Sequence, residues 1–241
     1  MPALIAGRYR VEGTLGTGGA GQVFRVTDVA RNRELALKRL HAGASKGVTA
    51  LFELEYQTLA GLRHPRIVEV FEYGRDEGAA FYTMELLQGE DLKDRAPMPW
   101  REACLYLRDA AQALGLLHAR RLVHRDVSPR NLWRMPDGRV KLLDFGALVP
   151  FGPCDKLVGT PPLVPPEAYE SQELDQRTDL YALGAVGYYL LTGMHAYPAR
   201  GLRDLPELWT YEPVPASQRV AELARPDLEA VPGDLDILIA A

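Results

Sequence analysis

The sequence predicts an α+β fold in two unequal parts, a smaller one built mostly of strands and a larger one built mostly of helices. Three observations predict it. Extended, partly alternating runs broken by Gly, Asp and Asn make up most of the chain up to Leu87. Helical spacing takes over from Trp100. With 241 residues, 47% of them hydrophobic and 25% charged, the chain can bury a large core, and disorder is not the expectation. The boundary between the two parts is drawn at Leu87, giving 1–87 and 88–241.

The elements follow in order. "RYRVEGTLG", "GQVFRVTDVA" and "RELALKRL" read as strands of an antiparallel meander separated by turn signals. A helix is expected over about 49–62, stopped by Pro65 in "RHPR". "IVEVFEYG" and "AAFYTMELL" read as two more strands joined by the polar turn "RDEG". Over 100–118 the apolar residues Cys104, Leu107, Ala111, Leu114 and Leu117 recur at helical spacing. Short strands are expected around "NLWRMPDGRVKLLDFG", with helices and loops beyond.

Composition also excludes several classes of function. The net charge is −4 and the basic residues are scattered, which argues against nucleic acid or an anionic membrane as the main partner. Two cysteines, Cys104 and Cys154, stand outside any CxxC or Cys/His ligand spacing. Neither a disulfide framework nor a structural zinc site is expected, and a reducing cytoplasm fits. The longest apolar run, "YALGAVGYYLL", is too short to span a bilayer, and "MPALIAGRYR" is too short and interrupted for a signal peptide. No membrane contact is expected from this segment.

Three stretches carry chemistry. Gly16, Gly18, Gly21 and Val23 form a G-x-G-x-x-G-x-V pattern between two strand patterns. Glycines let a backbone turn tightly and bring amide donors close to phosphate oxygens. A dinucleotide fingerprint would need a helix next, whereas "QVFRV" is a strand pattern; a plain glycine-rich hairpin is the alternative. Lys38 in "LALK" shares a strand face with Ala36. Such a lysine is usually a snorkelling surface residue, unless a carboxylate from the following helix meets it. Glu53 and Glu55 are the candidates and, being two apart, cannot share a helix face. The third stretch is "HRDVSPRN" with "DFG". Asp126, Asn131 and Asp144 are hard oxygen ligands or proton acceptors of the kind that suits Mg²⁺ beside a nucleotide phosphate. His124 reads as a buried, hydrogen-bonded histidine rather than a ligand.

The glycine loop, "LALK", "HRDVSPRN", "DFG", "GTPPLVPPE" and "DLYALG" occur in one order along the chain. In that order the sequence resembles a protein kinase domain of the bacterial eukaryotic-like Ser/Thr type, over residues 8–241 and truncated at its C-terminus. The resemblance implies a bilobal fold, with an N-terminal lobe of antiparallel sheet plus one main helix and a mostly helical C-terminal lobe. It implies that ATP and Mg²⁺ are cofactors and that a protein Ser or Thr is the acceptor. Gly16, Gly18 and Gly21 would cover the phosphates, Val23 and Ala36 would lie over the adenine, and Lys38 would hold the α- and β-phosphates. Glu55, nine residues before His64 of the "HP" turn, would be its partner. Met84 would be the gatekeeper, residues 85–87 with Glu85 and Leu87 the hinge that reads the adenine edge, and Asp91 a ribose contact. Asp126 would accept the proton of the substrate hydroxyl, and Asn131 and Asp144 would hold the metal. Leu59, Val70, His124 and Phe145 would stack as a spine anchored by Asp179.

The sequence departs from the family pattern in four places. Ser128 stands where Ser/Thr kinases carry the Lys two after the catalytic Asp, and Arg130, four after it, is the residue expected to substitute. Its alternative is a solvent-facing arginine. Trp133 stands at the floor of the adenine pocket, where it could stack under adenine, swing into the core or obstruct the pocket. Residues 147–166 contain one hydroxyl, Thr160, which by resemblance belongs to the substrate-binding loop. Arg125 therefore lacks the usual phosphate partner, and Asp155 or an acidic partner protein would supply negative charge instead. Finally, "GDLDILIAA" reads as a helix start near Asp234 with no stop signal. Further domains after residue 241 are expected, with Glu167 left without the Arg it usually pairs with. A pseudokinase that regulates a partner is the alternative function. A small-molecule kinase would lack the "GTP…PPE" segment.

Overall fold

The computed structural model of the protein describes residues 4–18, 21–154 and 156–240. The chain divides into two compact units, Met1–Gln88 and Gly89–Ala241. The first unit holds β1 (Leu4–Ile5), β2 (Tyr9–Thr17), β3 (Gly21–Asp28), β4 (Arg33–Leu40), α1 (Lys46–Ala60), β5 (Val70–Asp76) and β6 (Ala79–Glu85). Its strands form one six-stranded antiparallel sheet in the order β1-β2-β3-β4-β6-β5. The short β1 was not legible in the alternation.

Side chains alternate across this sheet, and the alternation builds two cores. Leu35 and Leu37 point to one face with Val26, Tyr9, Ile5 and Phe81. Leu40, Ala80 and Tyr82 point to the other, where Phe52 of α1 meets them. Helix α1 begins three residues before the expected start because Ser45 caps it, its Oγ accepting from Val48 N–H at 3.3 Å. Phe52, Glu55 and Leu59 are its buried stripe, so the buried carboxylate falls on the face that meets the sheet.

On the first face an ion network ties strand ends together. Arg8 donates from Nε to Asp28 Oδ1 at 2.8 Å and from Nη2 to Asp28 Oδ2 at 2.6 Å, while Nη1 reaches Glu72 Oε2 at 2.7 Å. Asp28 is fully buried. The Arg8 guanidinium, helped by the Ala30 amide and opposed by burial, holds its carboxyl down at about 2, against an ordinary value of 3.8. A carboxyl depressed on folding stabilises the protein above its unfolded value and loses that contribution as pH falls toward its folded value. Urea midpoints taken from about pH 6 down to about pH 2 should therefore fall mostly below about pH 4, and less steeply in Asp28→Asn. Equal slopes in the two proteins would contradict this assignment.

The second unit contains β7 (Glu90–Asp91), α2 (Trp100–Ala119), β8 (Leu122–Val123), β9 (Leu132–Arg134), β10 (Val140–Leu142), β11 (Val149–Pro150), β12 (Gly152–Pro153), α3 (Pro166–Tyr169), β13 (Glu173–Leu174), α4 (Gln176–Thr192), α5 (Leu205–Leu208), α6 (Ala216–Leu223) and α7 (Gly233–Ala240). Helix α4 is buried on most sides, capped at its start by Asp175 and ended by Gly193 in the left-handed region. Helix α2 packs beside it, and of the expected stripe Leu114 and Leu117 are buried while Cys104 and Leu107 are partly so. Ala103, Tyr106, Asp109, Ala110, Ala113, Leu114 and Leu117 are buried, whereas Ala111 is exposed. Alanines on several faces of α2 carry little hydrophobic phase, so spacing alone included Ala111 and left out Ala103, Ala110 and Ala113.

Strand β9 joins β7 and β10 in a small antiparallel sheet, with Asp91 opposite Trp133 and Trp133 opposite Lys141. Gly89 makes this pairing possible: its φ is +119°, and a Cβ there would stand 1.9 Å from the Arg134 carbonyl oxygen. Among the described residues no helix is long and apolar enough to cross a membrane.

Candidate active site

The site residues fall into one constellation in each unit. In the first, antiparallel register puts Val23 opposite Lys38, Lys38 opposite Tyr82, and Ala36 opposite Met84. Paired residues share a face, so Val23, Ala36, Lys38, Tyr82 and Met84 all lie on the sheet face that α1 covers in part. Lys38 Nζ stands 2.8 Å from Glu55 Oε1, and the Tyr82 hydroxyl donates to the same oxygen at 3.0 Å. The Glu55 side chain is 4% exposed and that of Lys38 20%. A cation with its stem buried and its head held by a buried carboxylate is a fixed charge rather than a snorkelling one. Glu53 is only partly buried. Tyr82 went unseen in the sequence because only strand pairing brings it to Lys38.

Of the glycine pattern, Gly16 lies in β2, Gly18 follows it and Gly21 opens β3. Gly16 pairs with Val23, and Gly18 N–H donates to the Gly21 carbonyl at 2.9 Å. Gly21 is required by packing, since a Cβ there would stand 2.2 Å from the Arg39 carbonyl oxygen. Glu85 ends β6, and its amide donates to the Glu69 carbonyl at 2.9 Å; Leu87 is half-buried.

In the second unit the loop after β8 carries Asp126. Its carboxylate accepts from Asn131 Nδ2 at 2.9 Å through Oδ2 and from Thr160 Oγ1 at 3.1 Å through Oδ1. Asn131 Nδ2 also donates to the Asp126 carbonyl at 2.8 Å, which commits the amide nitrogen and leaves Oδ1 as its ligand atom. The Asn131 carbonyl accepts from Leu143 N–H at 2.8 Å, which brings the residue before Asp144 to the same place. Asp144 Oδ1 accepts weakly from Gly146 N–H at 3.4 Å. Two hard oxygens on adjacent strands of loop suit Mg²⁺, which binds one or two protein oxygens and completes its shell with water and phosphate. Arg125 and Asp144 both sit at positive φ, 66° and 57°, conformations that non-glycine residues hold only where the surroundings enforce them.

Buried groups fix this loop. Asp179 of α4 is fully buried and accepts from His118 Nε2 at 2.8 Å, from His124 N–H at 2.9 Å and from Arg125 N–H at 2.9 Å. His124 donates from Nε2 to the Leu143 carbonyl at 3.2 Å, accepts at Nδ1 from Asp126 N–H at 3.3 Å, and meets Phe145 edge-on at 4.9 Å. His118 is a residue that sequence reasoning missed; its distance from the motif hid it.

The departures also have places. Ser128 is buried, whereas Arg130 is exposed and has no side-chain partner among the described residues. Trp133 is half-buried and alternates with the fully buried Leu132, so its indole lies on the face opposite the core, beside Asp91 and Lys141. Glu167, expected to lack its usual Arg, accepts instead from Thr178 Oγ1 at 3.1 Å. Asp155 lies outside the described residues.

Known proteins are similar to this chain over most of its length. The model of the family described as "Protein kinase domain" matches residues 9–216. The DNA damage-responsive serine/threonine-protein kinase RqkA of Deinococcus radiodurans is 34% identical over 225 residues, covering 88% of this chain and 34% of that protein. Serine/threonine-protein kinase PknL of Mycobacterium tuberculosis is 36% identical over 203 residues, 79% of this chain and 51% of PknL. PknA of the same species is 34% identical over 227 residues, 88% and 53% respectively. The chain thus spans between about a third and about half the length of these curated relatives. With most of its length matched and the motif residues in family order, the chain belongs to the protein kinase domain family.

Proposed function

We propose that the chain transfers the γ-phosphoryl group of ATP, with Mg²⁺, to serine or threonine of protein substrates. The observation that carries this reading is the Asp126 carboxylate, oriented through one oxygen by Asn131 and through the other by Thr160. Phosphoryl transfer asks little covalent chemistry of a protein, so its site consists of positioned charge, metal ligands and one acceptor for the nucleophile's proton. Asp126 takes the role of that acceptor. Mg²⁺, held by Asn131 and Asp144, would neutralise charge on the phosphates. Lys38, fixed by Glu55, binds the α- and β-phosphates. Gly16, Gly18 and Gly21 bring backbone amides to the phosphates, and Val23, Ala36, Met84, Glu85 and Leu87 bind the adenine; the family pattern gives Asp91 a ribose contact and Trp133 an adenine contact. In this reading residues 1–87 form the nucleotide-binding lobe and 88–241 the lobe that carries catalysis and substrate recognition. A reducing cytoplasm suits Cys104 and Cys154, both of which are free.

Arg130 supplies the cation that Ser128 cannot. Its exposure, with no side-chain hydrogen bond or ion pair among the described residues, leaves the guanidinium available to the transferring phosphoryl, whereas Ser128 is buried. Transfer from Mg-ATP to a generic basic protein tests both roles. Asp126→Asn should abolish it. Arg130→Ala should lower kcat by about 10²-fold, a loss typical of removing one transition-state contact, with nucleotide affinity nearly unchanged. An Arg130→Ala enzyme of unchanged rate would refute the Arg130 assignment, and an active Asp126→Asn enzyme would refute the larger reading.

A further inference from the structure

Arg125 is half-buried, and its side chain runs from the catalytic loop to the segment after "DFG". There Nε donates to the Ala147 carbonyl at 2.6 Å, and Nη1 donates to Cys154 Sγ at 2.8 Å and to the Lys156 carbonyl at 2.9 Å. The Cys154 thiol in turn reaches the Lys156 carbonyl at 3.7 Å. All of these acceptors belong to one segment, before, at and after Cys154. Burial pushes the Arg125 guanidinium below its ordinary value, with Cys154 and Asp179 opposing. A desolvated cation of this kind is costly unless its donors are met. Thr160, the one hydroxyl between 147 and 166, is itself committed to Asp126. A phosphate there would break that bond.

We propose that Arg125 clamps the activation segment through protein acceptors alone, with Cys154 as a positioning residue, so that transfer by this chain needs no phosphate on the segment. This rests on the protein kinase reading above. The clamp acts through the chain itself: Arg125 precedes Asp126, and the segment it holds carries Thr160 to the Asp126 carboxylate. Loosening the segment at Cys154 frees both. Hydrogen bonds to a charged group are among the stronger ones, and sulfur is the acceptor here that substitution can remove, since carbonyls remain whatever the side chain.

The test uses phosphatase-treated protein in two assays, steady-state transfer and hydrogen exchange of the peptides covering 147–164. Wild type should keep its rate after phosphatase treatment, within about twofold. Cys154→Ala should lose about tenfold or more in kcat, the scale of one charge-assisted hydrogen bond, with the KM for ATP little changed and exchange in 147–164 accelerated. Cys154→Ser, which restores an acceptor, should recover much of both, and Cys104→Ser should change neither. A Cys154→Ala protein with wild-type kcat and wild-type protection would overturn the clamp, as would loss of wild-type transfer on phosphatase treatment with phosphate mapped to this segment. If folded wild type transfers nothing in any state, the kinase reading fails, while the exchange comparison still decides the clamp. If Cys154→Ala does not fold, Cys154→Ser and thiol alkylation of folded wild type give the same readouts, and unchanged protection after alkylation counts against it.

Discussion

Replacing Asp179 by alanine should destabilise the second unit by about 4 kcal/mol, the scale of leaving several buried donors unsatisfied. The carboxylate is fully buried and accepts from His118, His124 and Arg125 together. Without it, two backbone amides and an imidazole N–H lose the buried carboxylate they donate to. For a unit of this size the loss corresponds to on the order of 10 °C in Tm. Asp179→Asn should be milder in volume yet still costly, because its amide turns a donor toward groups that are themselves donors. Transfer activity should fall further than stability explains, since the amides of His124 and Arg125 set the backbone on which Asp126 sits. Thermal unfolding of the two variants beside wild type measures the first effect. A Tm within about 3 °C of wild type for Asp179→Ala would mean that the three donors find other partners.

What the sequence made legible was local. Asp126 and Asn131 stand in one short motif, so both were singled out, although the hydrogen bond between them was not read from the sequence. Lys38 and Ala36 are two apart on a strand, and period-2 alternation put them on one face. The strands of the first unit were also readable, because apolar residues recur along them and gather into a core on each face of the sheet. The unreadable features depend on distant segments. Tyr82 reaches Glu55 only through the pairing of β4 with β6, and His118 reaches Asp179 only because α2 packs beside α4. Thr178 meets Glu167 because the start of α4 returns to α3, a connection that no motif encodes. Cys154 looked inert in the composition, since a lone thiol has no spacing to read; its place against Arg125 is a matter of where the segment folds back. The α2 stripe was right at Leu114 and Leu117 and wrong at Ala111, because alanine carries little hydrophobic signal on any face of a helix.

The Lys38–Glu55 pair allows stability and activity to be separated. Breaking a buried pair by removing one partner is expensive, whereas replacing both partners with apolar groups is often neutral. Glu55→Leu alone should cost about 2–3 kcal/mol, less than a fully buried pair would, because the Lys38 side chain keeps 20% exposure. It also takes from the Tyr82 hydroxyl the carboxylate oxygen to which it donates. The Lys38→Met, Glu55→Leu double variant should recover most of that loss in urea unfolding, ending within about 1 kcal/mol of wild type. Its phosphoryl transfer should nevertheless remain absent, since no cation is left in this unit's constellation to bind the α- and β-phosphates. A purely structural pair would give another pattern: activity would follow stability and return in the double variant. Measured together, the unfolding midpoints and the transfer rates of the three proteins decide whether Lys38 is held by Glu55 for the fold or for the nucleotide.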